Sequence, residues 1–184
     1  FTFATQASRS IFKSIMAGQT YPRVPFVRDV RVVVDIGANV GGASVYFALQ
    51  HPNATVYALE PATEPFQLLA QNARNFVNIR TFNIGLFSED KSLPLYRSKS
   101  DSVTASIGKS VLNSNESEVI TLRDANAWIR ELGIGHIDLL KIDTEGCEVA
   151  ILDAIRPLIP AIKVVYLEYH SEDDRRYLDR LLAP

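Results

Sequence analysis

Residues 32–42 read VVVDIGANVGG (Val32–Gly42), an apolar β-branched run that ends in an acid and passes directly into a glycine-rich turn. Consecutive Val and Ile suit a strand buried on both faces, as in a parallel sheet. Gly37 lets the chain turn sharply, and Gly41 and Gly42 remove side chains where a ligand and the next helix approach the backbone. Asp35, at the carboxyl end of the strand, is placed to hold a cationic amino group, directly or through water. Asn39 offers both a donor and an acceptor to a carboxylate or amide. Strand, glycine turn and helix in that order predict a ligand site at the strand's carboxyl end.

Elsewhere in the chain, short apolar runs alternate with stretches of helical spacing. Val30 to Ile36, Thr55 to Glu60, Ile79 to Ile84, Ile137 to Asp143 and Ile162 to Glu168 read as five strands. The alternation predicts an α/β fold, a doubly wound and mostly parallel Rossmann-like sheet with helices on both faces. Ala43 to Gln50 reads as a helix, and a second runs from a Thr63 cap to Asn75 with Pro65 in its first turn. Asp124 caps a third, which Gly133 and Gly135 end, and Ser171 to Leu182 reads as a fourth. After the third strand the pattern breaks: Lys91 to Arg97 and Glu118 to Leu122 read as a short antiparallel insertion. The Ser-rich stretch Ser98 to Ser117 between them reads as a long loop, expected to be a mobile flap over the site. The organisation expected is a single domain, with an N-terminal helical extension over 1–29, the core over 30–170 and a C-terminal helix over 171–184.

Composition excludes several classes. Nineteen Lys plus Arg against 21 Asp plus Glu in 184 residues leave no basic excess to neutralise a phosphate backbone, so a nucleic-acid partner is not expected. The longest apolar stretch, Val30 to Leu49, is broken by Arg31, Asp35, Asn39 and three glycines and cannot span a membrane. One cysteine, Cys147, rules out an internal disulfide framework and suits the cytoplasm. No signal peptide is visible, and because the chain begins at Phe1 its natural amino terminus is expected to lie outside it.

Glu60 closes the second strand 23 positions beyond Gly37. An acid about 20 residues after such a turn, at the tip of the adjacent strand, can accept both hydroxyls of a ribose. S-adenosylmethionine and a nicotinamide dinucleotide would both use it. The glycine pattern separates them, because Asn39 stands where the pyrophosphate motif G-x-G-x-x-G needs its second glycine. S-adenosylmethionine is therefore the expected cofactor, with an NAD-dependent oxidoreductase or a catalytically silent binding domain as alternatives.

DIGANVGG, then ALEP, LLKIDTEGCEVAIL (Leu139–Leu152) and VVYLEYH (Val164–His170) together resemble the FkbM family of class I S-adenosylmethionine-dependent methyltransferases. The similarity runs from Tyr21 to Leu182, and KIDTEG is more particular to that family than the glycine turn is. The resemblance implies a seven-stranded sheet and methyl transfer to the oxygen of a sugar or polyketide hydroxyl. Only one helix follows His170, so the last antiparallel strand pair of that sheet is expected to be absent or outside this chain. The resemblance also places Asn83 and Gly85 at the adenine end, and Ser106 and Ile107 where the family carries a similar pair.

Methyl transfer to an alcohol requires an aligned oxygen and a group that takes its proton. The carboxyl ends of the fourth and fifth strands bring Asp143, Thr144, Glu145, Glu168 and His170 to the same crevice. Asp143 is favoured for acceptor positioning or proton acceptance. Glu145 is either a second candidate or a helix-dipole charge, and His170 a general base or a helix-capping or surface residue. Glu148 reads as a solvated face or capping partner, and Cys147 as a small apolar side chain. The spacing of the carboxylates defines no metal site. A small-molecule or carbohydrate acceptor is expected.

Overall fold

Val32–Ile36 (β1) pairs in parallel with Thr55–Leu59 (β2) on one side and with Ile137–Ile142 (β8) on the other. Ile79–Phe82 (β3) extends the sheet beyond β2, and Ile162–Leu167 (β9) beyond β8, giving five parallel strands in the order β3-β2-β1-β8-β9. The computed structural model describes residues 1–97, 105–107 and 117–183.

Side chains alternate along each strand, so one strand feeds two cores. Val33 and Leu139 face Ile15 of α1 (Gln6–Met16) and Tyr46 and Phe47 of α2 (Gly42–Gln50). Val34 and Leu140 face the opposite way, against Trp128 of α4 (Ala125–Glu131), Ile151 of α5 (Glu148–Ala154) and Leu178 of α6 (Glu172–Leu181). The expected doubly wound arrangement follows from these two faces. On the first face, α3 (Thr63–Ala73) buries Leu69 against Ala38 and Ala58.

Asp138 fixes the register at the amino ends of the strands. Buried completely, it accepts hydrogen bonds from the Arg31 and Val32 amides at 2.7 and 2.9 Å and pairs with Lys163 of β9 at 2.6 Å. Burial opposes its charge, but Lys163 and the two amides outweigh burial and hold its pKa below the ordinary range.

The insertion is larger than one antiparallel pair. Lys91–Arg97 (β5) and Ser117–Asp124 (β7) do pair antiparallel, but Gly85–Phe87 (β4) adds to β7 in parallel and Ala105–Ile107 (β6) adds to β5, making a second sheet. Ser106 and Ile107, expected in a loop, thus belong to a strand. The rest of the expected flap, 98–104 and 108–116, lies outside the described residues. The third strand ends at Phe82 and not Ile84, because the chain leaves one sheet there to enter the other. Thr63 is the first residue of α3 and gives no side-chain cap, its amide donating instead to Glu118 at 3.1 Å, and the helix ends at Ala73. Asp124 caps α4 as expected, accepting from the Ala127 amide, while Ser171, read as the first residue of the last helix, is instead the cap of α6 and accepts from the Asp174 amide. Among the described residues no helix is long and apolar enough to cross a membrane.

Candidate active site

Because the five strands are parallel, all their carboxyl ends meet at one edge, and a cleft of about 480 Å³ opens there. Its wall includes Gly37, Asn39, Glu60, Gly85, Asp143, Glu145 and Glu168, with Phe12 and Ile15 of α1 on one side and Leu95, Ile120 and Leu122 of the second sheet on another.

The glycine turn is held against the tip of β8. The Asp143 amide donates to the Ile36 carbonyl at 3.1 Å, and a Cβ on Gly37 would stand 1.9 Å from the Asp143 carbonyl oxygen. Gly37 also has φ +78°, so both conformation and space require glycine. Asn39 adopts φ +50°, which aims its amide at Glu60 Oε2, 2.9 Å away, while the Ala62 amide donates to Oε1 at 2.9 Å. Glu60 is buried by this cradle. Desolvation dominates and pushes its carboxyl up to about 7, against the pull of the two amides.

Lys141 lies next to the carboxyl-terminal residue of the buried strand β8, and its ammonium ties three elements together. It donates to the Gly37 carbonyl at 2.6 Å and pairs with Asp35 at 3.1 Å and Asp143 at 3.5 Å. Burial disfavours its charge, but Asp35 and Asp143 more than compensate and raise its pKa above the ordinary lysine value. Asp35 is completely buried and also accepts from Ser44 Oγ at 2.6 Å. Asp35, expected to hold a cationic group directly or through water, has its carboxylate partnered from within by Ser44 and Lys141 and is not on the cleft wall.

The loop after β8 is organised by Glu148. Its Oε1 accepts from the Thr144 amide and hydroxyl, both at 2.9 Å, and from the Gly146 amide at 3.3 Å. Of its two expected roles, the buried side chain is a capping partner and not a solvated face. This cap holds Glu145 at φ +57°, a left-handed conformation that turns its side chain toward the cleft. Burial raises the pKa of Glu145 and of Glu168; Asp143 raises both further, while His170 opposes both shifts. Cys147 is buried beneath the same loop, and desolvation, then Glu148, pushes its thiol up to about 11.

His170 sits at the rim, off the cleft wall, with its ring nitrogens 3.8 Å from Glu145 and 3.6 Å from Glu148. Asn83 is also off the wall; its amide donates to the Glu60 and Pro61 carbonyls and braces the turn that carries Glu60. Gly41, at φ +89°, answers a packing demand, because a Cβ there would meet Leu69 at 2.7 Å. Sequence reasoning missed Lys141, Ser44 and the α1 wall. A lysine inside the strand run Ile137–Ile142, apolar but for it and Asp138, was the available signal, since a buried ammonium requires a partner. Among the described residues no group of three or more His, Cys, Asp or Glu is arranged to hold a metal ion.

The chain is 27% identical over 162 residues to Methyltransferase 1 of Beauveria bassiana, covering 77% of this chain and 65% of that protein. It is 29% identical over 207 aligned positions to the 31-O-demethyl-FK506 methyltransferase FkbM of Streptomyces tacrolimicus, covering 89% and 75%. The crystal structure of the methyltransferase FkbM from Methylobacillus flagellatus superposes with a TM-score of 0.62 at 19% identity, over 90% of this chain and 41% of that one. The chain thus spans about two thirds of the fungal relative and less than half of the bacterial structure. The family described as the methyltransferase FkbM domain matches residues 35–182, most of the chain and all of the cleft's strand ends. This chain belongs to the FkbM methyltransferase domain family.

Proposed function

We propose that the cleft binds S-adenosylmethionine and that the chain transfers its methyl group to the oxygen of a small-molecule or carbohydrate hydroxyl. The observation that carries this reading is the charge of the cleft. Glu60, Asp143, Glu145 and Glu168 line it, and Lys141, the one basic side chain among the described wall residues, is already paired with Asp35 and Asp143. Such a wall attracts a sulfonium and an ammonium, and it repels the diphosphate of a nicotinamide dinucleotide.

The donor set fits the cofactor. Each Glu60 oxygen takes one backbone N–H, leaving acceptor capacity for the two ribose hydroxyls. Asn39 is exposed at the glycine turn for the amino-acid end, Gly85 borders the adenine end, and Asn83 supports that end through the turn it braces. Asp35 contributes charge from behind the wall. The cofactor supplies a methyl group on a positively charged sulfur. The chain must orient the hydroxyl and remove its proton, and Asp143, on the wall and beside Lys141, is the proton acceptor. Glu145 with His170 at the rim forms the second candidate pair. The O-methyl acceptor is supported by the name of the Streptomyces relative, whose substrate is a demethylated oxygen. The composition and the single buried cysteine favour a cytoplasmic setting.

Calorimetric titration with S-adenosylhomocysteine, with NAD in parallel, tests the reading. Micromolar binding of the first and none of the second is expected. Binding of NAD alone would replace the reading with an oxidoreductase, and binding of neither would mark a silent domain.

A further inference from the structure

A second cavity, of about 430 Å³, opens on the face of the sheet that α2 covers. Its floor is aromatic: the Tyr21 ring lies 5.4 Å from both Phe47 of α2 and Tyr166 of β9, and Phe47 stacks on Tyr166 at 5.9 Å. Its rim is cationic. Arg23 and Arg28 come from the segment between α1 and β1, and His51 is the residue that ends α2. That segment precedes residues 35–182, the part matched by the family, and two tyrosine hydroxyls fasten it. Tyr46 donates to the Tyr21 carbonyl at 3.0 Å, and Tyr166 to the Pro22 carbonyl at 2.7 Å. The Val27 amide closes a turn on the Val24 carbonyl at 3.0 Å, so the two arginines flank a hydrogen-bonded turn. We infer that this cavity binds a phosphorylated small molecule, its phosphate held by Arg23, Arg28 and His51 and its carbon body lying on the Tyr21, Phe47 and Tyr166 rings.

The charge of this cavity is unmatched from within. Among the described residues, neither guanidinium and not the His51 ring is in a hydrogen bond or an ion pair. Asp29 is the one acid on the wall, so the two arginines outnumber it before His51 is counted. A guanidinium presents a planar fork of donors that matches an oxyanion, and two forks beside an imidazole suit the three free oxygens of a phosphate better than the two of a carboxylate. His51 is held below the ordinary histidine value, chiefly by desolvation and then by Arg23, against the pull of Asp138. A bound phosphate reverses the field at that ring and draws a proton onto it. Of the other ionisable groups on the wall, Tyr21 and Tyr166 are raised by burial and stay neutral, which leaves Arg28 and Asp29 as the remaining charges. The catalytic cleft has the opposite character, with Glu60, Asp143, Glu145 and Glu168 on its wall, so a phosphate is drawn to the second cavity and repelled from the first. The site goes beyond methyl transfer and stands or falls without it.

Phenyl phosphate is the probe, with inorganic phosphate and phenol as its two halves and benzoate as the rival anion. The chain has three histidines, His51, His136 and His170, whose ring protons report location by NMR. With phenyl phosphate added up to about 10 mM, the His51 signals should move and saturate, the other two should stay still, and the His51 titration should shift upward. Phenol should move nothing, and inorganic phosphate and benzoate should bind at least about tenfold more weakly. Arg23→Gln and Arg28→Gln replace exposed side chains and should each weaken phenyl phosphate roughly tenfold. Arg74→Gln, an exposed arginine at the end of α3, should leave it unchanged. The site is overturned by no saturable movement of His51, by movement of another histidine in its place, or by movement that survives both arginine replacements. Equal binding of any of the three control compounds, or an equal loss in Arg74→Gln, overturns it as well.

Discussion

Gly37 and Glu60 show how single residues set the cleft. Gly37→Ala adds a methyl group that meets the Asp143 backbone carbonyl at 1.9 Å, in a backbone with φ +78°. The carbonyl cannot swing away without breaking the contact between β1 and β8, so a loss of at least about 3 kcal/mol is expected in urea denaturation. Gly133→Ala is the control, with φ +67° but nothing within 4 Å, and should cost about 1 kcal/mol. Equal losses would mean that strain alone, and not the carbonyl, governs position 37. Glu60 makes a prediction in pH. Its carboxyl is pushed up to about 7 in the free chain, and the ribose hydroxyls of the proposed cofactor would donate to the ionised form. Affinity for S-adenosylhomocysteine should therefore rise as pH climbs toward 7 and level off above it. Glu60→Gln should weaken binding roughly tenfold or more and flatten that dependence. A wild-type affinity constant from pH 5.5 to 8.5 would remove Glu60 from the ribose site.

At the scale of elements, the least expected feature is the seat of the N-terminal segment. Asn72 of α3 accepts from the Thr2 amide at 2.7 Å and donates to the Thr2 and Val40 carbonyls, each at 2.9 Å. One side chain thus fastens the segment leading into α1 to the glycine turn, and α1 then lays Phe12 and Ile15 against Gly42. Asn72→Ala should cost about 2 kcal/mol and should speed hydrogen exchange in both α1 and the glycine turn while leaving β8 protected. Acceleration spread evenly over the chain would show that Asn72 supports the whole fold. None of this was legible beforehand, because an amphipathic helix does not announce which surface its apolar face covers. The strand tips were legible: Asp35, Glu60 and Asp143 each end an apolar run with an acid. The pairing of Asp35 with Lys141 was not, since it depends on a register between strands about a hundred residues apart. The strand β4 escaped for another reason, as three residues carry no usable periodicity.

For the molecule as a whole, both hydrophobic faces of the sheet and the polar cleft at its edge converge on the loop that follows β8. The sequence motif KIDTEG singled out that loop, and its two acids differ in role from Glu148, which opens the next helix. Asp143 and Glu145 reach the cleft, while Glu148 turns inward to hold the loop's amides. Cys147 lies under this loop as the chain's single thiol, with its sulfur out of water and its ionisation pushed up to about 11. A chromophoric disulfide reagent near neutral pH should hardly react with it, since the thiolate is about a hundredfold scarcer than for an ordinary cysteine and also shielded. Cys147 also borders the cleft, so the labelling rate reports how often its sulfur becomes reachable from there or through the loop. S-adenosylhomocysteine should slow that rate and urea should restore it. The molecule therefore carries a built-in clock, read by colour, beside the cleft at the carboxyl ends of its strands.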